Sequence, residues 1–442
     1  MQEISLSADE LISALLTLSD TSSVCILDSC GIGNLGSHLL IAGIGPLEEV
    51  EISRDDPAET LRIFEKKISS SNLAAIFTIS YDFGLKLQRI IRLRGKAFEA
   101  IPEPDVFIAL LDCLVIHDYD KKKTYLTGNE AKFTEIADLL YGIKVSEKIV
   151  APEFIKSPSA KSNFSKSVYL EKIHAIKNLV RSGDTYQTNL TQQLTVKFTN
   201  ETKASDIFSR LRQNHPAPFA AFINRKDSTV ISASPERLIR IDTDGSVSVS
   251  PIKGTRPRGK TVEEDNRLRT ELLTSEKDRA ENTMIVDLLR NDIGKFCSHG
   301  SVTVEKLCDL EEHPTLFHLV STVRGKLRDN ISYAEIIEAV FPCGSVTGAP
   351  KIRTMQIIDR LETADRGLSM GAIGYRIPET GFGMQKTFDM SVAIRTMVIR
   401  ERQAVFNVGG GIVIDSDPEK EYEESILKAK ALLEALGSEF RH

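Results

Sequence analysis

The sequence predicts an α+β fold in which strands and helices interleave at irregular intervals. Three observations carry this. Apolar residues alternate with period two at Leu190, Leu194, Val196 and Phe198, and again in the SVSVS run at 246–250, which breaks at Pro251. Elsewhere the period is helical: Tyr169, Leu170, Ile173, Ile176 and Val180 share one face of a helix that Gly183 stops. No internal repeat or low-complexity tract orders these segments into a solenoid.

In chain order, the first 150 residues read as short strands with intervening helices, the strands falling at 24–27, 74–79 and 106–116. Lys121, Lys122 and Lys123 separate two β-like stretches and read as a solvated hairpin turn. Residues 151–163 are polar, with two prolines and several serines, and read as a linker. An N-terminal region of 1–150 and a larger unit of 151–442 are therefore expected. Beyond the linker come the helix around 169–180, the strands at 190–198 and 246–250, a helix at 352–361 with Pro350 near its first turn, and a last helix at 421–436. Gly31, Gly33 and Gly36 imitate a dinucleotide fingerprint, but residues 37–42 run straight into Gly43, Gly45 and Pro46, leaving no room for the helix such a site requires. Turn glycines of a small sheet are the better reading.

Composition narrows the function classes. A net charge of −6 argues against nucleic acid or an anionic membrane as the main partner. The best apolar run, 106–116, is too short to span a bilayer and contains Asp112. The N-terminus is acidic, without signal or transit character, so a cytoplasmic location is expected. Six irregularly spaced cysteines make neither a disulfide framework nor a zinc site.

Several clusters could carry chemistry. Asp278 and Glu281 stand three residues apart on a helical segment, Glu421 and Glu424 repeat the spacing, and Lys428 follows one turn on. Two such faces meeting would offer hard oxygen donors suited to Mg²⁺ or Ca²⁺; each alone reads as a solvated face. Gly409, Gly410 and Gly411 expose successive backbone N–H groups, suited to an anion or, equally, to a close strand crossing. Residues 344–351 (GSVTGAPK) open a helix whose free N–H groups could also face an anion. The turn at 251–260 (PIKGTRPRGK) packs four cations into ten residues and would pair with a dianionic ligand, and Glu236 in SPER lies near it in sequence. His318, among apolar neighbours, reads by itself as a core histidine.

Together, the segments GDTYQTNLTQQ, SASPERL, PIKGTRPRG, DRAENTMIVDLLRNDIG, FHLVSTV, GSVTGAPK, GAIGY, VAIRT and GGGIVIDSDPEKEYEE resemble, in order and spacing, the chorismate-utilising enzymes: anthranilate synthase component I, aminodeoxychorismate synthase component I, isochorismate synthase and salicylate synthase. The resemblance covers about 165–431, and more weakly the N-terminal region through ILDS and ISYDFG. It implies an anthranilate synthase component I-like fold, with two antiparallel sheets face to face and helices outside. It also implies Mg²⁺ held by Glu281 and Glu424, with Asp278 and Glu421 completing the site. Arg395 and Tyr375, with the backbone at Gly409, Gly410 and Gly411, match the holders of the enolpyruvyl carboxylate. Gly254, Thr255, His318 and Lys428 match further substrate-lining positions, and Glu236 matches the general acid for the departing C4 hydroxyl. Cys343 stands where the family more often has glycine or alanine.

Two positions select the branch. Gln187 stands where the isochorismate and salicylate synthases have a lysine base, and glutamine cannot activate water. Lys253 stands where anthranilate synthases have alanine; the aminodeoxychorismate synthases share the PIKGT pattern. The resemblance thus implies amination of chorismate at C4 through a covalent Lys253 intermediate, for p-aminobenzoate and folate synthesis. Attack requires the neutral amine, which burial favours. No Cys-His-Glu glutaminase segment is evident, so ammonia is expected from a separate glutaminase subunit. The competing readings are anthranilate synthase component I, a non-catalytic chorismate-binding protein and, from the acidic pairs alone, a phosphotransfer enzyme, for which no P-loop or kinase motif speaks. ILDS and Pro218-Phe219 also resemble the tryptophan pocket of anthranilate synthases, which makes bound tryptophan an expectation.

Overall fold

In a computed structural model, residues 1–33, 37–69, 72–91, 101–143, 159–198, 202–312 and 316–440 are described. The β-branched and aliphatic runs pair into two antiparallel sheets. The first sheet is ordered Gln2–Ile4, Lys123–Gly128, Cys113–Asp118, Leu39–Ile44, Val24–Asp28, Phe219–Asn224, Thr229–Ser234, Thr396–Arg400, Gln403–Ile412, Gln187–Lys197 and Gly348–Ala349, with Lys161–Ser162 also on Gln187–Lys197. The second runs Ile252–Pro257, Leu316–Lys326, Ser246–Ser250, Arg237–Ile241, Thr387–Val392, Ala372–Ile377, Ala74–Ile79, Val106–Leu111 and Glu48–Ile52, with Thr303–Glu312 on Leu316–Lys326.

The sheets pack face to face. Ile41, Ile116, Ala221 and Val398 of the first share one buried cluster with Ile76, Phe107 and Ile373 of the second. Helices cover the outer faces: Ala8–Leu18, Ala204–Asn214 and Pro418–Ala435 bury Leu15, Phe208 and Leu432 against the first sheet. Pro57–Ser69 and Glu276–Gly294 bury Phe64 and Ile285 against the second, while Lys351–Leu361 packs on Gln187–Lys197 and Gly348–Ala349 of the first. The expected two-sheet α+β architecture is what forms.

Local signals set most boundaries. The helix Lys166–Arg181 is capped by the Ser165 hydroxyl and stops before Gly183 at φ +82. The run at 106–116 is not one strand but two, split at Asp112: Val106–Leu111 belongs to the second sheet and Cys113–Asp118 to the first. Asp112 anchors this crossover through Lys132 at 3.0 Å and Asn129 at 3.0 Å. The strand Leu39–Ile44 follows the glycine motif directly, with no helix between; Gly36 itself lies outside the described residues. Most of the expected linker also lies outside them, and each sheet draws strands from both sides of it. Among the described residues, no helix is long and apolar enough to cross a membrane.

Candidate active site

Two chain crossings between the sheets carry the first site residues. Ser234 ends a strand of the first sheet and Arg237 begins one of the second, so Glu236 sits on the passage between them. Its carbonyl accepts from Val392 N–H at 3.0 Å, and its own N–H donates to Ser234 Oγ at 3.3 Å. Glu236 is buried; burial pushes its carboxyl up, opposed by the Lys253 ammonium and a hydrogen bond from Ser345. Arg395 occupies the return passage, between Thr387–Val392 and Thr396–Arg400, at φ +48. Burial alone, with no opposing carboxylate among the described residues, holds its guanidinium below the usual arginine range.

The basic turn is a strand rather than a loop. Ile252 pairs with Val320 and Thr255 with His318, so three steps on one strand oppose two on the other, and the extra residue makes a β-bulge at Lys253 and Gly254. A bulge of this kind re-aims a side chain. Gly254 stands at φ +83, and a Cβ there would lie 2.8 Å from Leu272 Cδ1 and 3.0 Å from Asp278 Cβ, so the bulge requires glycine. His318 is buried, with Nδ1 2.9 Å from Thr255 Oγ1. Arg256 and Arg258 do not await a dianion. Arg256 pairs with Glu271 at 2.8 Å and Asp278 at 3.2 Å, and Arg258 with Asp265 at 2.7 Å, because the helices that follow bring carboxylates back over the turn.

The two acidic pairs face one another, a meeting that their spacing alone left open. They lie on Glu276–Gly294 and Pro418–Ala435. Glu281 is pushed up by burial and by Asp278 and Glu421, against Lys253 and Lys277. Glu424 resists its burial and is held below the usual carboxylate range by Lys428, 2.7 Å away, with help from Lys277 and Lys253. Lys253 thus acts on Glu236, Glu281 and Glu424 together. Lys277 lies 3.5 Å from Glu421 and 3.9 Å from Glu281, a cation drawn in by the acidic cluster. Among the described residues, no three His, Cys, Asp or Glu side chains are set to hold a metal as they stand. The donor set is nonetheless all carboxylate oxygen, which suits a hard divalent cation, and Lys277 already marks where positive charge is attracted.

The triple glycine is a close crossing beside these acids. A Cβ on Gly410 would lie 3.4 Å from Glu421 Oε2 and 3.5 Å from Lys428 Nζ, while one on Gly409 or Gly411 would overlap Leu190 O or Gln187 Nε2. Lys428 Nζ donates to Gly409 O at 3.1 Å. Residues 344–351 form a 3₁₀ turn and a short strand before the helix begins at Lys351, and they contribute Ser345 to Glu236.

Tyr375 is set apart from this group. Gly371 O accepts from Ala393 N–H at 2.9 Å near the crossing, and Tyr375 lies four residues further, about 13 Å along the strand. Its ring lines a small cavity of about 30 Å³ between the sheets, with Leu27, Ser29, Pro218, Phe219 and Asp389. The segments likened to a tryptophan pocket therefore do enclose a cavity, and Tyr375 belongs to it. Ser345 and Lys277 are the contributors that the sequence reading did not assign; Lys277, four residues before Glu281, was the legible signal.

The chain matches the family of chorismate binding enzymes over residues 27–434. It is 44% identical to a probable aminodeoxychorismate synthase, chloroplastic, of Oryza sativa subsp. japonica, over 60% of this chain and only 29% of that longer protein. It is 35% identical to aminodeoxychorismate synthase component 1 of Klebsiella aerogenes, over 89% of this chain and 86% of that one. Anthranilate synthase component I from Streptococcus pneumoniae TIGR4 superposes with a TM-score of 0.76 at 28% identity, covering 90% of this chain and 93% of that one. With the family matched over residues 27–434, this chain belongs to the chorismate binding enzymes.

Proposed function

We propose that this chain aminates chorismate at C4, giving 4-amino-4-deoxychorismate for p-aminobenzoate and folate synthesis, with ammonia supplied by a separate glutaminase subunit. The observation that carries the reading is the β-bulge at Lys253, which brings an amine into the same charged pocket as the buried Glu236, whose carboxyl burial pushes up. The steps balance. Lys253 Nζ bonds to C2, the C1=C2 pair moves to C1=C6, the C5=C6 pair moves to C4=C5, and the C4–O bond breaks. Glu236 supplies the proton with which the hydroxyl leaves as water, and takes one back from the alkylated lysine. Ammonia then bonds to C4, the double bonds return, and the C2–Nζ bond breaks as Glu236 returns its proton to the departing lysine nitrogen; the new C4 ammonium then releases a proton that restores the acid on Glu236. Arg395 suits the enolpyruvyl carboxylate, being a withdrawn guanidinium with no carboxylate on it.

Mg²⁺ belongs to the same proposal: Glu281 and Glu424, with Asp278 and Glu421 behind them, would hold it, and when bound it neutralises the ring carboxylate of chorismate. The reading also assigns tryptophan to the cavity between the sheets. Likeness to the solved anthranilate synthase favours a second reading, in which ammonia adds at C2; Lys253 opposes it. Incubation with chorismate, Mg²⁺ and ammonium, with products identified by chromatography and mass, separates the cases. Aminodeoxychorismate supports the first reading and anthranilate the second. No product with either ammonium or a glutaminase supplied leaves a non-catalytic chorismate-binding protein.

A further inference from the structure

The helix Lys351–Leu361 opens on a cation, and the last turn of Glu276–Gly294 carries an anion, Asp292. Each charge stands at the unfavourable end of its own helix, since a helix start favours anions and a helix end favours cations. The two meet instead. Lys351 Nζ lies 2.5 Å from Asp292 Oδ2, and the side chains are 9% and 3% exposed. Lys351 also donates to Val340 O at 3.4 Å. Asp292 takes a second cation, Lys295, at 3.2 Å, whose side chain is exposed. A buried ion pair is a weak source of stability, because desolvation offsets much of the attraction. What this pair does supply is a fixed link between two segments that both reach the active site.

One segment is the helix Glu276–Gly294, with Asp278 and Glu281 near its start. At about 1.5 Å per residue, Asp292 lies about 16 Å beyond Glu281 along the axis. The other is the turn 343–350, which leads into Lys351. Within it Ser345 reaches Glu236, and Cys343 Sγ stands 3.2 Å from Ser345 Oγ. Gly348 and Ala349 pair with Thr188 and Gln187, which ties the end of the turn to the first sheet. The turn also rests directly on the helix, where a Cβ on Gly344 would overlap Leu288. The ion pair clamps turn to helix at the end away from the acids. It is too distant to touch a molecule held at Glu281.

We infer that Lys351 and Asp292 are positioning residues for the amination: their ion pair holds the turn 343–350 in register with the helix of Asp278 and Glu281, so that Ser345 meets Glu236 while Glu281 keeps its place. The inference rests on the amination reading. Neither residue is catalytic, since each acts through another group. Lys351 works through Ser345 on Glu236, and Asp292 through its helix on the acidic pair. A small misplacement of reacting groups costs more in the chemical step than in binding, so loss of the clamp lowers kcat and leaves KM for chorismate near its wild-type value.

The test separates positioning from stability. Lys351→Met removes the clamp and leaves Asp292 with Lys295. The double variant Lys351→Met/Asp292→Leu replaces the pair by apolar groups, a change that is often neutral or stabilising. In both, ammonium-dependent kcat is expected to fall at least about tenfold, with KM for chorismate within about threefold of wild type. The melting temperature should drop in Lys351→Met and return in the double variant, while turnover stays low in each. Turnover that returns together with the melting temperature overturns the inference and makes the pair structural, as does wild-type kcat in either variant. Should Lys351→Met fail to fold, the double variant decides alone; a double variant that also fails to fold counts against positioning. A wild-type chain that yields no aminodeoxychorismate with ammonium defeats the functional reading itself, a distinct result, and the positioning role falls with it.

Discussion

Glu236→Gln separates two effects that one buried carboxyl combines. The side chain keeps its shape and loses its proton, so the chemical step loses general acid catalysis, a contribution of about 10²–10⁴-fold. The stability effect has the opposite sign. Burial raises the Glu236 carboxyl above its ordinary value of 4.5, so the folded chain retains this proton to higher pH than the unfolded chain does. As pH rises from 4.5 through the folded-state value, the unfolded chain is increasingly favoured, and above that value the penalty is complete. Glutamine has no charge to bury and escapes the penalty. The variant is therefore more stable than wild type at pH 8, and the two converge near pH 4. Each tenfold difference in proton affinity is worth about 1.4 kcal/mol. With about 2.1 cal/mol/K of unfolding entropy per residue over 442 residues, that moves Tm by about 1.5 °C. Thermal melts at pH 4, 6 and 8, paired with ammonium-dependent turnover at saturating chorismate, read both effects. A variant within about tenfold of wild-type turnover would remove Glu236 from acid catalysis. A variant less stable at pH 8 would mean that the carboxyl is charged and paired rather than protonated.

Lys253→Ala should abolish aminodeoxychorismate formation. Intact-protein mass spectrometry of wild type with chorismate and no ammonia should show an adduct that the variant lacks; an adduct persisting in the variant would place the nucleophile elsewhere. Lys277→Met removes the cation lying 3.5 Å from Glu421 and 3.9 Å from Glu281, so the Mg²⁺ concentration for half-maximal activity should fall; a rise would mean Lys277 organises the carboxylates. Gly409→Ala drives a Cβ into Leu190 O and should destabilise by about 3 kcal/mol or more, seen as an earlier denaturant midpoint; an unchanged midpoint would show that the strands can part. Tryptophan at a hundred times its dissociation constant should stabilise the chain by about 2.7 kcal/mol, and Pro218→Trp, which fills the cavity, should remove the shift. A tryptophan shift that survives in Pro218→Trp would locate its site elsewhere.

Much of the fold was legible because its signals are local. The SVSVS alternation gives the strand Ser246–Ser250, the run at 74–79 gives Ala74–Ile79, and one apolar face with a terminal glycine gives Lys166–Arg181. The acidic pairs were legible too, since three-residue spacing on a helix fixes which side chains share a face. The failures share one cause. The 106–116 run looks continuous, yet Asp112 turns it from one sheet to the other, and only the partners on each side decide that. Tyr375 matched a motif, but its facing residues across two sheets put it in the inter-sheet cavity. Arg256 and Arg258 read as available to an anion, but the helix that follows directly folds Glu271 and Asp265 back over them, a contact that only the packed turn reveals.

By itself, then, the sequence determined most element types and the spacing of the acidic pairs, because periodicity and spacing are properties of neighbours in the chain; Glu236, Lys253, Glu281 and Glu424 were singled out by the resemblance of their motifs to a family. Tertiary structure alone decided the bulge that re-aims Lys253, the Ser345 contact that reaches Glu236 and the buried pairing of Lys351 with Asp292. Each of these depends on which element packs on which and on what the packing removes from water, and residues that settle those questions lie tens to hundreds of positions apart.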